Sequence, residues 1–223
     1  MKTSVFAALL ILCTSTLLAQ APDASPAAPT QDTARVARTH SSDMGFSYSL
    51  PLDWEIMDTK PMLPVIKQQV TTDSTSADEK KGIECAQIDL MARDGTPPSV
   101  IEAITVPFDC IGQKFTDKDL ASLASGVAAG LNKTFTITDP VYGAYTLGTH
   151  SIWIERATGA FISHPELKRT VETVCSVLKK GVVCWLAVTV DVAALQTFEH
   201  GAVTLDGELS PALVPADSLK KKP

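Results

Sequence analysis

The side chains best suited to acid–base or metal chemistry lie far apart in the sequence. The four histidines are His40, His150, His164 and His200, and a zinc site needs three or four ligands that converge on one point. Alternation along a strand would place His150 and Glu155 on opposite faces of that strand. The chain contains no G-x-S-x-G elbow, no H-E-x-x-H pair and no phosphate-binding loop. The sequence therefore predicts no catalytic residues, no metal site and no cofactor site.

The acidic and histidine side chains leave open two alternatives to a binding or assembly role. One is a small-ligand or cation carrier, although Asp73, Asp78 and Glu79 do not have the spacing of a calcium loop and fit a solvated loop better. The other is a periplasmic hydrolase. In that enzyme the fold would bring together at least two of these four side chains: His150, His164, Asp109 and Glu155.

The cysteines favour structural disulfides over redox catalysis. The chain has five cysteines but no C-x-x-C pair, which is the arrangement that lowers the pKa of a redox thiol. Cys13 lies in an export segment, and the even number that remains in an exported chain predicts disulfides. A tight turn centred on residues 179–180 would place Cys175 opposite Cys184 on neighbouring strands. The predicted disulfides are Cys175–Cys184 and, from the two cysteines left, Cys85–Cys110.

Residues 1–19 have the layout of a secretory signal peptide. Lys2 precedes the apolar run Val5–Leu12, and small residues follow at Ala19 and Ala21. We expect cleavage after Ala19, since cleavage after Ala21 would leave a proline as the first residue. The apolar run is shorter than the roughly 20 residues of a membrane span. An uncleaved anchor helix and lipidation at Cys13 are the alternatives.

Composition and charge predict one globular domain that does not bind nucleic acid. Of the 223 residues, 45% are hydrophobic and 20% are charged, as in ordinary globular proteins. The 19 Lys and Arg against 25 Asp and Glu give a net charge of −6, whereas phosphate backbones require a basic face. Residues 20–43 are rich in proline and alanine and predict a disordered linker. The single domain is predicted over 44–209, with a flexible tail over 210–223.

Hydrophobic periodicity predicts hairpins and two helices. Thr116 to Asn132 carries an apolar stripe at helical spacing with Thr116 as N-cap, and a second helix follows Asp191. Hairpins imply an antiparallel sheet, and helices with one apolar face must lie against it. The predicted class is α+β, an antiparallel β-sheet built from hairpins and flanked by α-helices. The predicted hairpins cover residues 45–58, 83–106, 134–157 and 170–190.

The sequence segments at both ends of this predicted domain resemble those of a known family. The segment Gly45–Ile56 (GFSYSLPLDWEI) is similar to the first hairpin of the PsbP-like fold, and Trp185, Asp191 and Phe198 stand where that fold has its closing hairpin and helix. The family includes the photosystem oxygen-evolving accessory protein, the Ran-binding Mog proteins and small bacterial exported proteins. The resemblance implies an α/β/α arrangement and a binding or assembly role, and it carries over no catalytic residues.

These observations favour an exported, non-catalytic binding or assembly accessory protein. We expect a monomer that is periplasmic or secreted in a bacterium, with an envelope protein or a small ligand as its unidentified partner and no membrane span after signal cleavage. Recognition is expected on an exposed face of the sheet or in the long polar loops 59–81 and 158–169, because loops on rigid scaffolds commonly carry function.

Overall fold

The structure, a computed structural model, describes residues 37–61, 63–71, 76–216 and 218–219. The predicted signal peptide and the linker as far as residue 36 lie outside these residues. The strands are β1 Ala37–Ser41, β2 Phe46–Pro51, β3 Glu55–Ile56, β4 Gln87–Asp94, β5 Ser99–Pro107, β6 Phe135–Leu147, β7 His150–Phe161, β8 Lys168–Val177, β9 Gly181–Thr189, β10 Val203–Leu205 and β11 Glu208–Ser210. The α-helices are α1 Leu63–Val70, α2 Ala77–Cys85, α3 Phe108–Ile111, α4 Leu120–Leu131 and α5 Val192–Glu199.

The strands form two antiparallel sheets. One sheet has seven strands in the order β3-β4-β5-β9-β8-β7-β6, and the other has four in the order β1-β2-β10-β11. Three predicted hairpins are confirmed as the pairs β4–β5, β6–β7 and β8–β9. The predicted α+β class is likewise confirmed, since antiparallel sheets are flanked by a few helices.

The seven-stranded sheet is covered on both faces. Helix α4 packs its apolar stripe, including Leu123 and Val127, on one face, which we call the helix face. The four-stranded sheet and α5 cover the opposite face, which we call the sheet face. There Phe46 meets Trp185 edge to face, with ring centroids 5.4 Å apart, beside the buried Phe198. Burial of these large side chains on both sides supplies the main stabilising term.

The predicted hairpin over 45–58 is wrong in its pairing. Strand β2 alternates as predicted, with Phe46, Tyr48 and Leu50 buried. However, it pairs with β1 and β10, while β3 joins the other sheet beside β4. Alternation determines which side chains point inward, but it does not determine which strand becomes the hydrogen-bonding partner. Here the pairing of β2 with β10 completes the core on the sheet face.

The predicted exposed loop over 59–81 contains helix α1 and the start of helix α2. Ser76 and Glu79 form a capping box at the start of α2, in which the Glu79 backbone N–H donates to Ser76 Oγ at 3.2 Å and the Ser76 N–H donates to Glu79 Oε2 at 2.8 Å. The predicted strand start at 83 therefore falls inside a helix, and β4 begins at Gln87. Few apolar residues mark this helix, so its capping box is the informative signal.

Residues on both sides of the predicted domain take part in its structure. Strand β1 includes residues 37–41 of the predicted linker and pairs with β2. Leu213 and Val214, in the predicted tail, are buried in the core on the sheet face. The apolar side chains of Leu213 and Val214 complete that core. At the other end of the domain, the Arg38 guanidinium in β1 donates a hydrogen bond to the Trp54 carbonyl at 2.6 Å. Residues 217 and 220–223 of the tail lie outside the described residues.

Both predicted cysteine pairs lie at disulfide distance. The sulfur atoms of Cys85 and Cys110 are 2.09 Å apart, and those of Cys175 and Cys184 are 2.11 Å apart. Cys175 and Cys184 are direct cross-strand partners between β8 and β9. Within the described residues, no helix has both the length and the apolar character needed to cross a membrane.

Candidate functional site

The four hydrolase candidates lie in separate places. His150 is on the sheet face, where its Nε2 atom lies 3.8 Å from a carboxylate oxygen of Asp206. His164 is in the exposed loop after β7, Asp109 is on α3, and Glu155 is on the helix face of β7. No hydrogen bond or ion pair joins any two of the four. In the described part of the chain, no three His, Cys, Asp or Glu side chains are grouped to hold a metal ion.

A cleft with an aromatic floor lies between the start of α4 and the edge of the seven-stranded sheet. Its volume is about 380 Å³, within the usual range for small-molecule sites. Trp153 is partly exposed in it and packs at its other side against the core beneath α4. We call this cavity the aromatic cleft. Its lining residues are Asp117, Leu120, Ala121, Ala144, Tyr145, Thr146, Ser151, Ile152 and Trp153.

The register of β6 and β7 explains the floor of the aromatic cleft. Ser151, Trp153 and Glu155 alternate onto the helix face of β7, so a hydroxyl, an indole and a carboxyl follow one another along one strand. Their partners on β6 are Thr146, Ala144 and Tyr142 respectively. Because Ala144 is small, the side of Trp153 facing β6 is left uncovered. Helix α4 packs on β8 and β7, which leaves the β6 end of the face open.

The turn before α4 supplies the polar end of the aromatic cleft. The Asp119 carboxylate accepts hydrogen bonds from the Thr116 backbone N–H at 2.8 Å and from its hydroxyl at 3.0 Å, which fixes the start of the helix. Asp117 in the same turn accepts a 2.6 Å hydrogen bond from the Ser151 hydroxyl. The helix start is thereby tied to β7, and one carboxylate is held at the mouth of the aromatic cleft.

An aromatic pair and a buried carboxyl continue the surface along β6 and β7. The Tyr142 ring is 50% exposed, and its centroid lies 6.3 Å from that of Trp153 at an interplanar angle of 45°. Glu155 is directly opposite Tyr142 and only 7% exposed. Burial raises the pKa of Glu155, and burial together with the Glu155 charge raises the pKa of Tyr142.

A second carboxyl cluster lies on the sheet face. The Arg156 guanidinium donates to Glu172 at 2.5 Å and also to Glu199 on α5. Glu172 is fully buried, and this burial raises its pKa to about 7 against the opposing effect of Arg156. The pKa values of Tyr48 and Tyr145 are raised by burial and by the Glu172 charge. Through Arg156, this cluster joins α5 to the seven-stranded sheet.

Two other cavities lie elsewhere in the described structure. One of about 470 Å³ surrounds Asp89, which stands at a bulge of β4 and accepts hydrogen bonds from the Ser42 and Thr105 hydroxyls. One carboxylate oxygen of Asp89, Oδ2, therefore already accepts two hydrogen bonds from the protein. The other, of about 480 Å³, is a shallow groove between β1, β2 and α5, with Gln196 and His200 on its helical side.

Sequence reasoning missed the residues of the aromatic cleft. Half of the predicted recognition loop 158–169 is strand, because β7 runs to Phe161 and β8 begins at Lys168. Glu155 and Arg156 lie on β7, an internal strand of the seven-stranded sheet. The available signal was the alternation of Ser151, Trp153 and Glu155. It identifies one shared face of a strand and does not identify the helix that forms the wall.

Comparison with solved structures gives a distant similarity in fold. The chain is similar to the solution structure of cyanobacterial PsbP (CyanoP) from Synechocystis sp. PCC 6803, with a TM-score of 0.38 and 10% sequence identity over 77% of this chain and 89% of that chain. No protein-family model matches the chain, and no curated protein matches it. A similarity of this degree says nothing about function, which has to come from the geometry of the site.

Proposed function

We propose that this protein is an exported, non-catalytic binding protein that holds a small ligand in the aromatic cleft. The observation that carries the proposal is the partly exposed indole of Trp153 on the floor of a cavity of about 380 Å³. Apolar lining with a few convergent polar groups is the usual composition of a small-molecule site. Here Leu120 and Ala121 provide the apolar wall, and Asp117 and Ser151 provide the polar end.

The support for binding rather than hydrolysis comes from the positions of the candidate groups. An acid–base pair must reach the same reacting atom, within hydrogen-bond distance or through one water. His150 and Glu155 belong to opposite faces of β7, and His164 is in a loop at the other end of that strand. The aromatic cleft instead combines a ring surface with hydroxyls and a carboxylate, groups that can orient a ligand without transferring a proton.

Export is the second part of the proposal. It is supported by the signal-like segment at residues 1–19 and by two cysteine pairs at disulfide distance, since disulfides persist in oxidising compartments. N-terminal sequencing of the protein from fractionated bacterial cells should give a chain that begins at residue 20, outside the cytoplasm. A chain that keeps Met1 and stays in the cytoplasm would contradict export.

Tryptophan fluorescence can test the aromatic cleft directly. All three tryptophans lie in the described residues, and Trp54 and Trp185 are 1% and 0% exposed. Acrylamide should therefore quench mainly Trp153. We expect a ligand from a panel of neutral sugars, organic cations and organic acids to protect Trp153 and, at 100 times its Kd, to raise Tm by about 5–10 °C.

The matched control is Trp153→Phe, which keeps an aromatic ring and removes the quenchable emission. If a compound raises Tm and leaves Trp153 as accessible to acrylamide as before, it binds elsewhere and the proposed site is wrong. If no compound of the panel protects Trp153, the proposal that the aromatic cleft is a ligand site fails.

A further inference from the structure

Glu155 has a largely buried side chain and no hydrogen-bond or ion-pair partner among the described residues. The residue is 7% exposed, and no hydrogen bond or ion pair joins its carboxylate to another side chain of the described residues. Burial of a carboxylate that has no counter-charge is unfavourable. Glu172 on the other face of the same sheet is buried too, but Arg156 pairs with it. Glu155 thus lacks the cation that the comparable buried glutamate has.

The neighbours of Glu155 are aromatic. Trp153 is two residues before it on the same face of β7, and Tyr142 is its cross-strand partner on β6. The two rings meet at 45° with centroids 6.3 Å apart, so they form a corner, and Tyr142 is half exposed to solvent. The faces of such rings carry negative electrostatic potential, which attracts cations within about 6 Å.

The aromatic cleft beside these residues carries a negative charge, as Glu155 does when ionised. Asp117 lies at its polar end, and none of the residues that line the cleft in the described structure is lysine, arginine or histidine. Anionic ligands such as phosphates or organic acids would meet the Asp117 carboxylate there and no cation. A hydrated divalent metal ion would need several oxygen ligands at one point, and no such group is present among the described residues.

We propose that Trp153, Tyr142 and Glu155 bind an organic cation of the alkylated ammonium class, the two rings contacting its methyl groups and the carboxylate compensating its charge. This inference rests on the proposed function and specifies its ligand class. A neutral sugar would use the same rings and hydroxyls, but it would leave the Glu155 carboxylate without a partner.

Choline and its uncharged isostere 3,3-dimethylbutan-1-ol provide the sharpest comparison, because the two differ in charge and hardly in shape. Calorimetry on the full chain should show choline binding at least about tenfold more tightly, the equivalent of about 1.4 kcal/mol. Choline should also protect Trp153 from acrylamide. Equal affinity for the two compounds, or no binding of choline, would overturn the ligand class.

Two variants locate the site. Glu155→Gln keeps the shape and removes the charge, so choline affinity should fall about tenfold while the isostere is unaffected. Tyr142→Ala removes an exposed ring and should weaken choline binding about three- to tenfold. Glu166→Gln, in the exposed loop after β7, is the control and should change neither affinity. Circular dichroism establishes that each variant is folded. Choline binding that is unchanged in both test variants would refute the site.

The two proposals fail differently. If a neutral sugar protects Trp153 and choline does not, the organic-cation inference is wrong and the aromatic cleft is still a ligand site. If no compound of the panel protects Trp153, both proposals are wrong. If choline is bound but Trp153 stays fully accessible, the cation inference is wrong, because the site then lies elsewhere on the protein.

Discussion

Replacement of Glu172 by glutamine should remove most of the pH dependence of stability between pH 5 and pH 8. Glu172 is fully buried between β7 and β9, under Tyr48, Tyr145 and α5. The Arg156 guanidinium is shared between Glu172 and Glu199, so one positive charge faces two carboxylates. Glutamine keeps an oxygen that can accept the Arg156 hydrogen bond and leaves the guanidinium to Glu199.

The sign and size of the effect follow from the pKa of Glu172. Burial raises it from its ordinary value of 4.5 to about 7 in the folded protein. In that interval the folded state holds a proton that the unfolded state has lost, so the free energy of unfolding falls as pH rises. The stabilisation is complete below pH 4.5 and is lost as pH passes 7. At about 1.4 kcal/mol per pH unit, the loss is about 3 kcal/mol.

Urea unfolding at several pH values from 5 to 8, followed by circular dichroism, measures this loss. Between pH 5 and pH 8, the wild-type free energy of unfolding should fall by about 2–3 kcal/mol more than that of Glu172→Gln. Glu155, whose pKa is also raised by burial, is present in both proteins and cancels in the difference. Asp109→Asn, at an exposed position on α3, should follow the wild type. A Glu172→Gln curve parallel to the wild type would refute the assignment.

Two further predictions concern the core. The Cys175→Ser/Cys184→Ser double variant should lose about 3 kcal/mol of unfolding free energy by urea titration, since the disulfide restricts the unfolded chain; an effect near zero, or free thiols in the purified wild type, would contradict the disulfide. Tyr48→Phe should lose about 1–2 kcal/mol, because the buried Tyr48 hydroxyl donates to the Phe198 carbonyl at 2.7 Å. Tyr142→Phe is its exposed control, and equal losses in both variants would contradict the role of that hydrogen bond.

Local patterns predicted the elements whose information lies within a short segment. The apolar stripe of α4 and the inward set of β2 follow from periods of 3.6 and 2 residues, and the structure buries both sets. The direct pairing of Cys175 with Cys184 follows from the length of the turn between two β-rich runs. Helix α2 carried a readable capping box at Ser76 and Glu79 that a search for apolar periodicity overlooks.

The candidate site was beyond such reasoning. The aromatic cleft joins residues 117–121, 144–146 and 151–153, and only the strand residues among them are close in sequence. The Arg156 cluster likewise joins β7, β8 and α5. Contacts of this kind depend on which strands pair and where a helix lies on the sheet. The alternation of residues within a short segment determines neither the strand pairing nor the position of the helix.

By itself, the sequence determined the class of the fold, the inward-facing sets of several strands and the absence of familiar catalytic motifs. These depend on side-chain period, turn length and residue type, which are properties of short segments. Only the tertiary structure decided that β2 and β3 belong to different sheets, and that Glu155 is buried beside two aromatic rings with no counter-charge among the described residues. The reason is that burial and charge compensation are set by distant segments, which the folded chain alone brings together.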